Sequence, residues 1–474
     1  MIYDINQNEI SSIYDLNSNY LDNVYDYEGN SLIDKPVTLS GYKNGTSYKL
    51  SEMNMVDTNN MAVISNEHTR NDNTTYKLTP TIKIPSGGTT NLANYQCVEY
   101  TCNIPTNGEN VGLWVYIDRL SKGVFGGVQK NNQQIVMQIQ INNSRKMYLP
   151  ATSGSTIKAG MNYYYFENSE VGNTIKSIKV YVSQLNNTMS GCVYLDSLEV
   201  GFRMNTPHVL FNLDCSPNNF YEVGFPLFKK YGLKATLDYH ISSTDLTIGA
   251  VSDTLKDNDV ALQRHNEIMN AGFDYGTYSG WKSIEGETKP YYDDEDKYST
   301  WLAHGERMFK VNNSIGIYAP STVHCSGFVS GETYQRAMVD NGFLVVRADN
   351  CVKDYGAQFV YLDTDNYREI VPYFIWNIWN SDDATIIKLK AMIDNCVNTG
   401  KNLMIGFHQI QPVDYTPKTN DMNIGYNAVD ALLSHVKSYV NQGKLKCSTT
   451  AEFVADVAPD VYNTWLIERN KNNS

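Results

Sequence analysis

The sequence predicts a multidomain β plus α/β chain: extended N-terminal repeats, a β-sandwich of jelly-roll-like rhythm, then a (β/α) barrel. Three observations predict it. An apolar-aromatic unit recurs over the first 32 residues, apolar side chains alternate with period two from about 81 to 203, and strand and helix patterns alternate after 204. At 474 residues the chain also exceeds what one hydrophobic core usually serves, so two or three domains are expected.

The repeat comes first. Ile2-Tyr3-Asp4-Ile5-Asn6 with Ile10 recurs as Ile13-Tyr14-Asp15-Leu16-Asn17 with Leu21, and as Val24-Tyr25-Asp26-Tyr27-Glu28 with Leu32, a period of 11. Each unit is a short strand, a polar turn and one more apolar residue, too thin to bury a core, so residues 1–40 are expected to lean on another chain. Either they dock or oligomerise, or they form a flexible linker. Such repeats resemble those at the N-termini of bacteriophage tail and appendage proteins.

Residues 41–80 are polar and turn-rich and read as a linker. In 81–203, Ile135, Met137, Ile139 and Ile141 alternate, as do Ile178, Val180 and Val182; Val193, Leu195, Leu198 and Val200 do so with a slip at Asp196-Ser197. That pattern argues a β-sandwich similar in rhythm to carbohydrate-binding modules. Its Trp114, Tyr116 and Tyr163-Tyr164-Tyr165 are candidates for sugar stacking, against the alternative that they fill the core.

From 204 to 474 the period changes. A buried strand at 209–213 precedes a helix at 221–231 stopped by Gly232 and a second strand at 235–239; helices follow near 295–310, 331–341, 383–399 and 426–441. In the last, Val429, Leu432, Leu433, Val436 and Val440 form one apolar stripe. Repeated βα units imply a barrel or a doubly wound sheet, with functional residues at the C-terminal strand ends. Those ends offer Asp214-Cys215, Tyr278 with Trp281, Tyr318-Ala319-Pro320-Ser321, Asp349-Asn350 and His408.

This layout, with Lys230-Tyr231-Gly232-Leu233-Lys234-Ala235-Thr236, resembles the polysaccharide deacetylase (NodB-homology) family over about 205–460. The resemblance implies a (β/α) barrel in which a first-strand aspartate pair supplies a general base and a metal ligand, and two later histidines complete a zinc site. Here the pair is Asp214-Cys215, and the histidine positions after Gly276 carry Tyr278 and Lys282. The late histidine matches His408. A lysine and a phenol are poor zinc ligands at neutral pH, so no metal and no cofactor are expected. Asp214 and His408 remain as a candidate acid and base pair, with His304 or His324 as possible recruits. Tyr278, Trp281, Tyr318 and Trp114 are the candidate glycan-binding residues.

A net charge of −13 argues against nucleic acid or an anionic membrane as partner, and apolar runs such as residues 403–407 are far shorter than a membrane span. The eight cysteines show no metal spacing and read as buried small apolar residues. The 35 tyrosines, against 15 phenylalanines, suit wet sugar interfaces or reflect codon bias. No secretory signal is read at the start. Taken together these expectations describe a bacteriophage virion protein, a tail or head appendage that binds host surface polysaccharide, joins other virion proteins through its N-terminus and forms a homo-oligomer. The alternative is an active carbohydrate esterase or hydrolase acting on cell-wall or capsular polysaccharide.

Overall fold

The computed structural model describes residues 2–3, 9–10, 40–69, 74–82, 84, 91–117, 135–148, 160–184, 191–242, 247–248, 259–279, 298–314, 320–325, 332–347, 369–370, 373–418 and 421–471. Two compact units result, Met1–Thr38 and Leu39–Ser474. In the first, the opening repeat unit pairs with itself, Ile2 opposite Ile10 and Tyr3 opposite Glu9. The second and third repeat units lie outside the described residues.

The β region is two antiparallel sheets. One runs in the order Ser144–Tyr148, Ile135–Ile141, Thr174–Gln184, Gln96–Pro105, Asn54–Asp57; the other runs Gly160–Phe166, Val111–Ile117, Val193–Val200, Thr75–Leu78, Ala62–Ser65. Alternating side chains from both, among them Val98, Tyr100, Leu113, Val115, Met137, Ile139, Val180 and Leu195, meet in one buried cluster. The slip at Asp196-Ser197 is an irregularity in the pairing with Val111–Ile117, between Leu195 and Leu198.

The linker expected at 41–80 is not one. Thr46–Lys49 pairs with residues 197–200, Asn54–Asp57 with 98–101, and Thr75–Leu78 with 193–195. These strands are four residues long and half of their side chains are polar, so composition alone reads them as turns.

The α/β region is a ring of parallel strands: β1 (His208–Asp214), β2 (Thr236–Ser242), β3 (Asp274–Ser279), β4 (Thr322–Cys325), β5 (Val345–Arg347), β6 (Glu369–Ile370), β7 (Tyr373–Ile375) and β8 (Leu403–Phe407). Pairing runs from β1 through β6 in order, while β7 pairs with β8 and β8 with β1. β6 and β7, separated by two residues, are the two ends of this path.

The helices between the strands follow the expected order: α1 (Phe225–Tyr231), α2 (Asp259–Asn270), α3 (Tyr298–Ser314), α4 (Glu332–Asp340), α5 (Ala384–Thr399) and α6 (Tyr426–Asn441). Helix α1 stops at Gly232, and the stripe Val429, Leu432, Leu433, Val436 of α6 is buried against the strands. Helix α2 was not expected: its buried side, Ala261, His265 and Ile268, includes a histidine. No described helix is long and apolar enough to cross a membrane.

Sandwich and barrel meet through a buried lysine. Lys401, just after α5, lies 3.6 Å from the Tyr165 ring centroid and 3.6 Å from Glu167, whose carboxylate also accepts from Asn395 at 2.8 Å. Burial pulls the Lys401 ammonium down to about 8.

Candidate functional site: an arginine-filled barrel mouth

Parallel staves bring their C-terminal ends to one rim, and here that rim is charged inside. Arg347 ends β5 and is fully buried. Its guanidinium donates in a fork to both oxygens of Asp214 at the end of β1, Nη1 to Oδ1 at 2.6 Å and Nη2 to Oδ2 at 3.0 Å. Nη1 also donates to Asn212 Oδ1 and lies 2.9 Å from Asp238 Oδ2, the latter an ion contact rather than an aligned hydrogen bond. Asp238, in β2, accepts from Thr322 Oγ1 of β4 at 2.7 Å. A single guanidinium thus ties β1, β2 and β5, with β4 attached through Thr322.

The closeness depends on Gly276 in β3. A Cβ there would lie 1.8 Å from Thr322 Oγ1 and 2.0 Å from Asp238 Oδ1, so any side chain would break that bond.

Asp214 and His408 each follow directly on the last register pair of β1 and β8, Leu213 opposite Phe407. Their partners are different. Asp214 is taken by Arg347, whereas His408 packs edge-on to Phe374 at 4.9 Å and its buried Nδ1 has no hydrogen-bond partner among the described residues. Phe374 also sits 5.8 Å beneath the Arg347 guanidinium and 6.0 Å from Trp376, which is 37% exposed. The rim therefore grades from a buried ion cluster, through Phe374, to an exposed indole.

The two described candidate ligands, Asp214 and Cys215, do not fit a zinc site of the deacetylase kind. Both oxygens of Asp214 serve the guanidinium, and Cys215 is buried in the apolar core. Burial, reinforced by the charges of Asp214 and Asp238, keeps its thiol protonated, whereas zinc takes a thiolate. Among the described residues no group of three His, Cys, Asp or Glu side chains could hold a metal. Cysteines 97, 102, 192, 215, 396 and 447 are free thiols.

Two expectations are corrected. Trp114 is no sugar platform: it is fully buried, donates from Nε1 to Glu199 at 2.6 Å and packs on Tyr163 and Phe202. Tyr116 and Tyr163, Tyr164 and Tyr165 are buried with it. His304 cannot be recruited to the mouth, because it sits on α3 against Trp301, and burial lowers its pKa to about 4. Trp281, Lys282, Tyr318, Asp349 and Asn350, with the side chains of Tyr278 and His324, lie outside the described residues.

Sequence reasoning missed Arg347, Asp238, Phe374 and Trp376. A signal existed for the first two: an acid inside the apolar run 235–239 and a base ending the run 343–347 must each find a partner once buried.

Sandwich, ring and buried ion cluster define a multidomain β plus α/β protein with a strand-end site. No protein-family model and no curated protein matches the sequence. Among solved structures, the barrel region is similar to a family 4 carbohydrate esterase from Streptomyces lividans in complex with acetate (12% identity, 54% of this chain, 97% of that one, TM-score 0.30). It is also similar to the chitin deacetylase of Colletotrichum lindemuthianum (11% identity, 53% and 88%, TM-score 0.30). A further likeness is to a carbohydrate-binding module, CBM27-1 of Caldicellulosiruptor saccharolyticus in complex with mannohexaose (10% identity, 33% and 97%, TM-score 0.24).

Proposed function

We propose that the chain is a glycan-binding protein whose deacetylase-like barrel performs no metal-dependent hydrolysis. The observation that carries this reading is the Arg347 fork on Asp214. A general base must present an oxygen to the attacking water, and a metal ligand must present one to the cation. Here a permanent guanidinium holds one lone pair on each oxygen, and the neighbouring Cys215 is a buried thiol rather than a second carboxylate. Binding needs no reactive carboxylate, and Trp376, 37% exposed, stands at the rim beside the buried Phe374, against which His408 packs.

The setting we propose is a bacteriophage virion, as a homo-oligomeric tail or head appendage that meets host surface polysaccharide. The support is the 11-residue N-terminal repeat, whose first unit pairs Ile2 with Ile10 and is too short to bury a core by itself.

The test incubates the purified chain with acetylated cell-wall or capsular polysaccharide, with and without chelator, and reads released acetate and bound protein. Binding without acetate release is expected. Chelator-sensitive release would replace this reading with the esterase. For the setting, deleting residues 1–38 should spare folding of the rest and abolish assembly; a truncated chain that assembles normally would remove the docking role.

A further inference from the structure

Two loops carry the C-terminal ends of β7 and β8 outward, and they are sewn together. Asn377 N donates to Asn423 O at 2.9 Å, Gly425 N to Ile378 O at 2.8 Å and Ile424 N to Gln409 O at 3.1 Å. Ile378 bridges Ile424, and Ile410–Gln411 pairs with Ile424–Gly425. The approach is close enough to require glycine: a Cβ on Gly425 would lie 2.9 Å from the Trp379 carbonyl oxygen.

This frame fixes aromatic side chains at the surface. Trp379 stacks on Tyr415 at 5.5 Å with the rings 23° apart, and its Nε1 donates to Asn377 Oδ1 at 3.1 Å. Tyr415 Oη in turn donates to Asp421 at 2.6 Å, and Asp421 also accepts from Asn423 N at 3.0 Å. Asn377, between the two tryptophans, holds a left-handed φ of 58°, a conformation that asparagine tolerates and that clusters at ligand sites. In the same two loops Trp376, Val413 and Met422 are 37%, 67% and 56% exposed. Large apolar side chains exposed together on a rigid frame mark a binding surface, and a preformed one loses little freedom when a ligand arrives.

Charge selects the ligand. The described residues of 376–383 and 408–425 include four carboxylates, Asp382, Asp383, Asp414 and Asp421, against one lysine, Lys418, in a chain of net charge −13. A uronate, sulfate or phosphate group would meet repulsion here. Neutral pyranose rings would not: their C–H faces stack on indole and phenol, and their hydroxyls pair with the surrounding amides and carboxylates.

We infer that the rim formed by Trp376, Trp379 and Tyr415 is a binding site for neutral pyranose oligosaccharides. This rests on the glycan-binding reading above and adds to it a place and a ligand class. Nothing in the inference requires the ion cluster beneath to react.

The experiment titrates the full chain with cellohexaose, maltohexaose and chitohexaose, and with oligogalacturonate as the acidic probe, by calorimetry and tryptophan fluorescence. The variants are Trp376→Ala and Tyr415→Ala, each with its melting temperature measured. Trp376 is exposed, so its variant should melt with the parent; Tyr415→Ala reports on the stack. At least one neutral probe should bind, weakened roughly ten-fold in each variant, the size expected for losing one stacked ring. If a neutral probe binds and both variants bind as the parent does, the site is elsewhere and glycan binding stands. If only the acidic probe binds, the ligand class is wrong. If no probe binds, this rim takes no sugar, and should cell-wall polysaccharide also fail to bind, the wider reading falls with it.

Discussion

Arg347 and Asp214 stand at the ends of two staves that are not neighbours, and a guanidinium fork joins them across the barrel at 2.6 and 3.0 Å. The pair is a structural cross-tie. Both side chains are withdrawn from water, Arg347 fully and Asp214 to 11% exposure, so the tie is only as good as its geometry.

Removing the arginine should therefore be costly. Arg347→Ala leaves Asp214 and Asp238 facing each other without their shared cation, and we expect a loss of about 3–5 kcal/mol in urea unfolding. Arg347→Lys keeps the charge but not the fork, and should recover only part of that loss. An Arg347→Ala chain as stable as the parent would show that the cluster does not hold the mouth together.

The sandwich offers an independent check on Trp114. Trp114→Ala empties a fully buried site and leaves the Glu199 carboxylate without its 2.6 Å donor, so unfolding should shift by about 3–5 kcal/mol. Trp114→Phe fills more of the space and should cost less. Unaltered stability together with lost glycan binding would return this tryptophan to the role the sequence suggested.

Acid should destabilise the chain through three histidines. Burial lowers His208, His265 and His304 to about 4 from an ordinary 6.5. Between those values the unfolded chain takes up protons that the folded chain refuses, so stability is full above pH 6.5 and falls as the pH drops toward 4. The upper figure is on the order of 3 kcal/mol per histidine. Melting temperature measured from pH 7 to 4.5 should fall steadily, and His304→Leu should flatten the slope. A flat profile across that window would contradict the burial of these rings.

Much of the fold was legible because it rests on periodicity. The alternation of Ile135, Met137, Ile139 and Ile141, the stripe from Val429 to Val436 and the stop at Gly232 each follow from one local rule. The strands between 46 and 78 were not legible, because four-residue strands with polar outer faces differ little from turns. The site was half legible. Asp214 and His408 could be placed at strand ends from the βα rhythm, but their partners come from strands far away in sequence. Arg347 is 133 residues from Asp214, and only the parallel pairing from β1 through β5 brings them to one rim.

The central claim is that the barrel mouth is filled by its own guanidinium and has no use for a metal. The most direct measurement is zinc content, with calorimetric zinc titration, on the purified full chain and on Asp214→Ala. The account predicts no stoichiometric zinc in the parent and no binding heat that depends on Asp214. One zinc per chain, lost on Asp214→Ala, would contradict it.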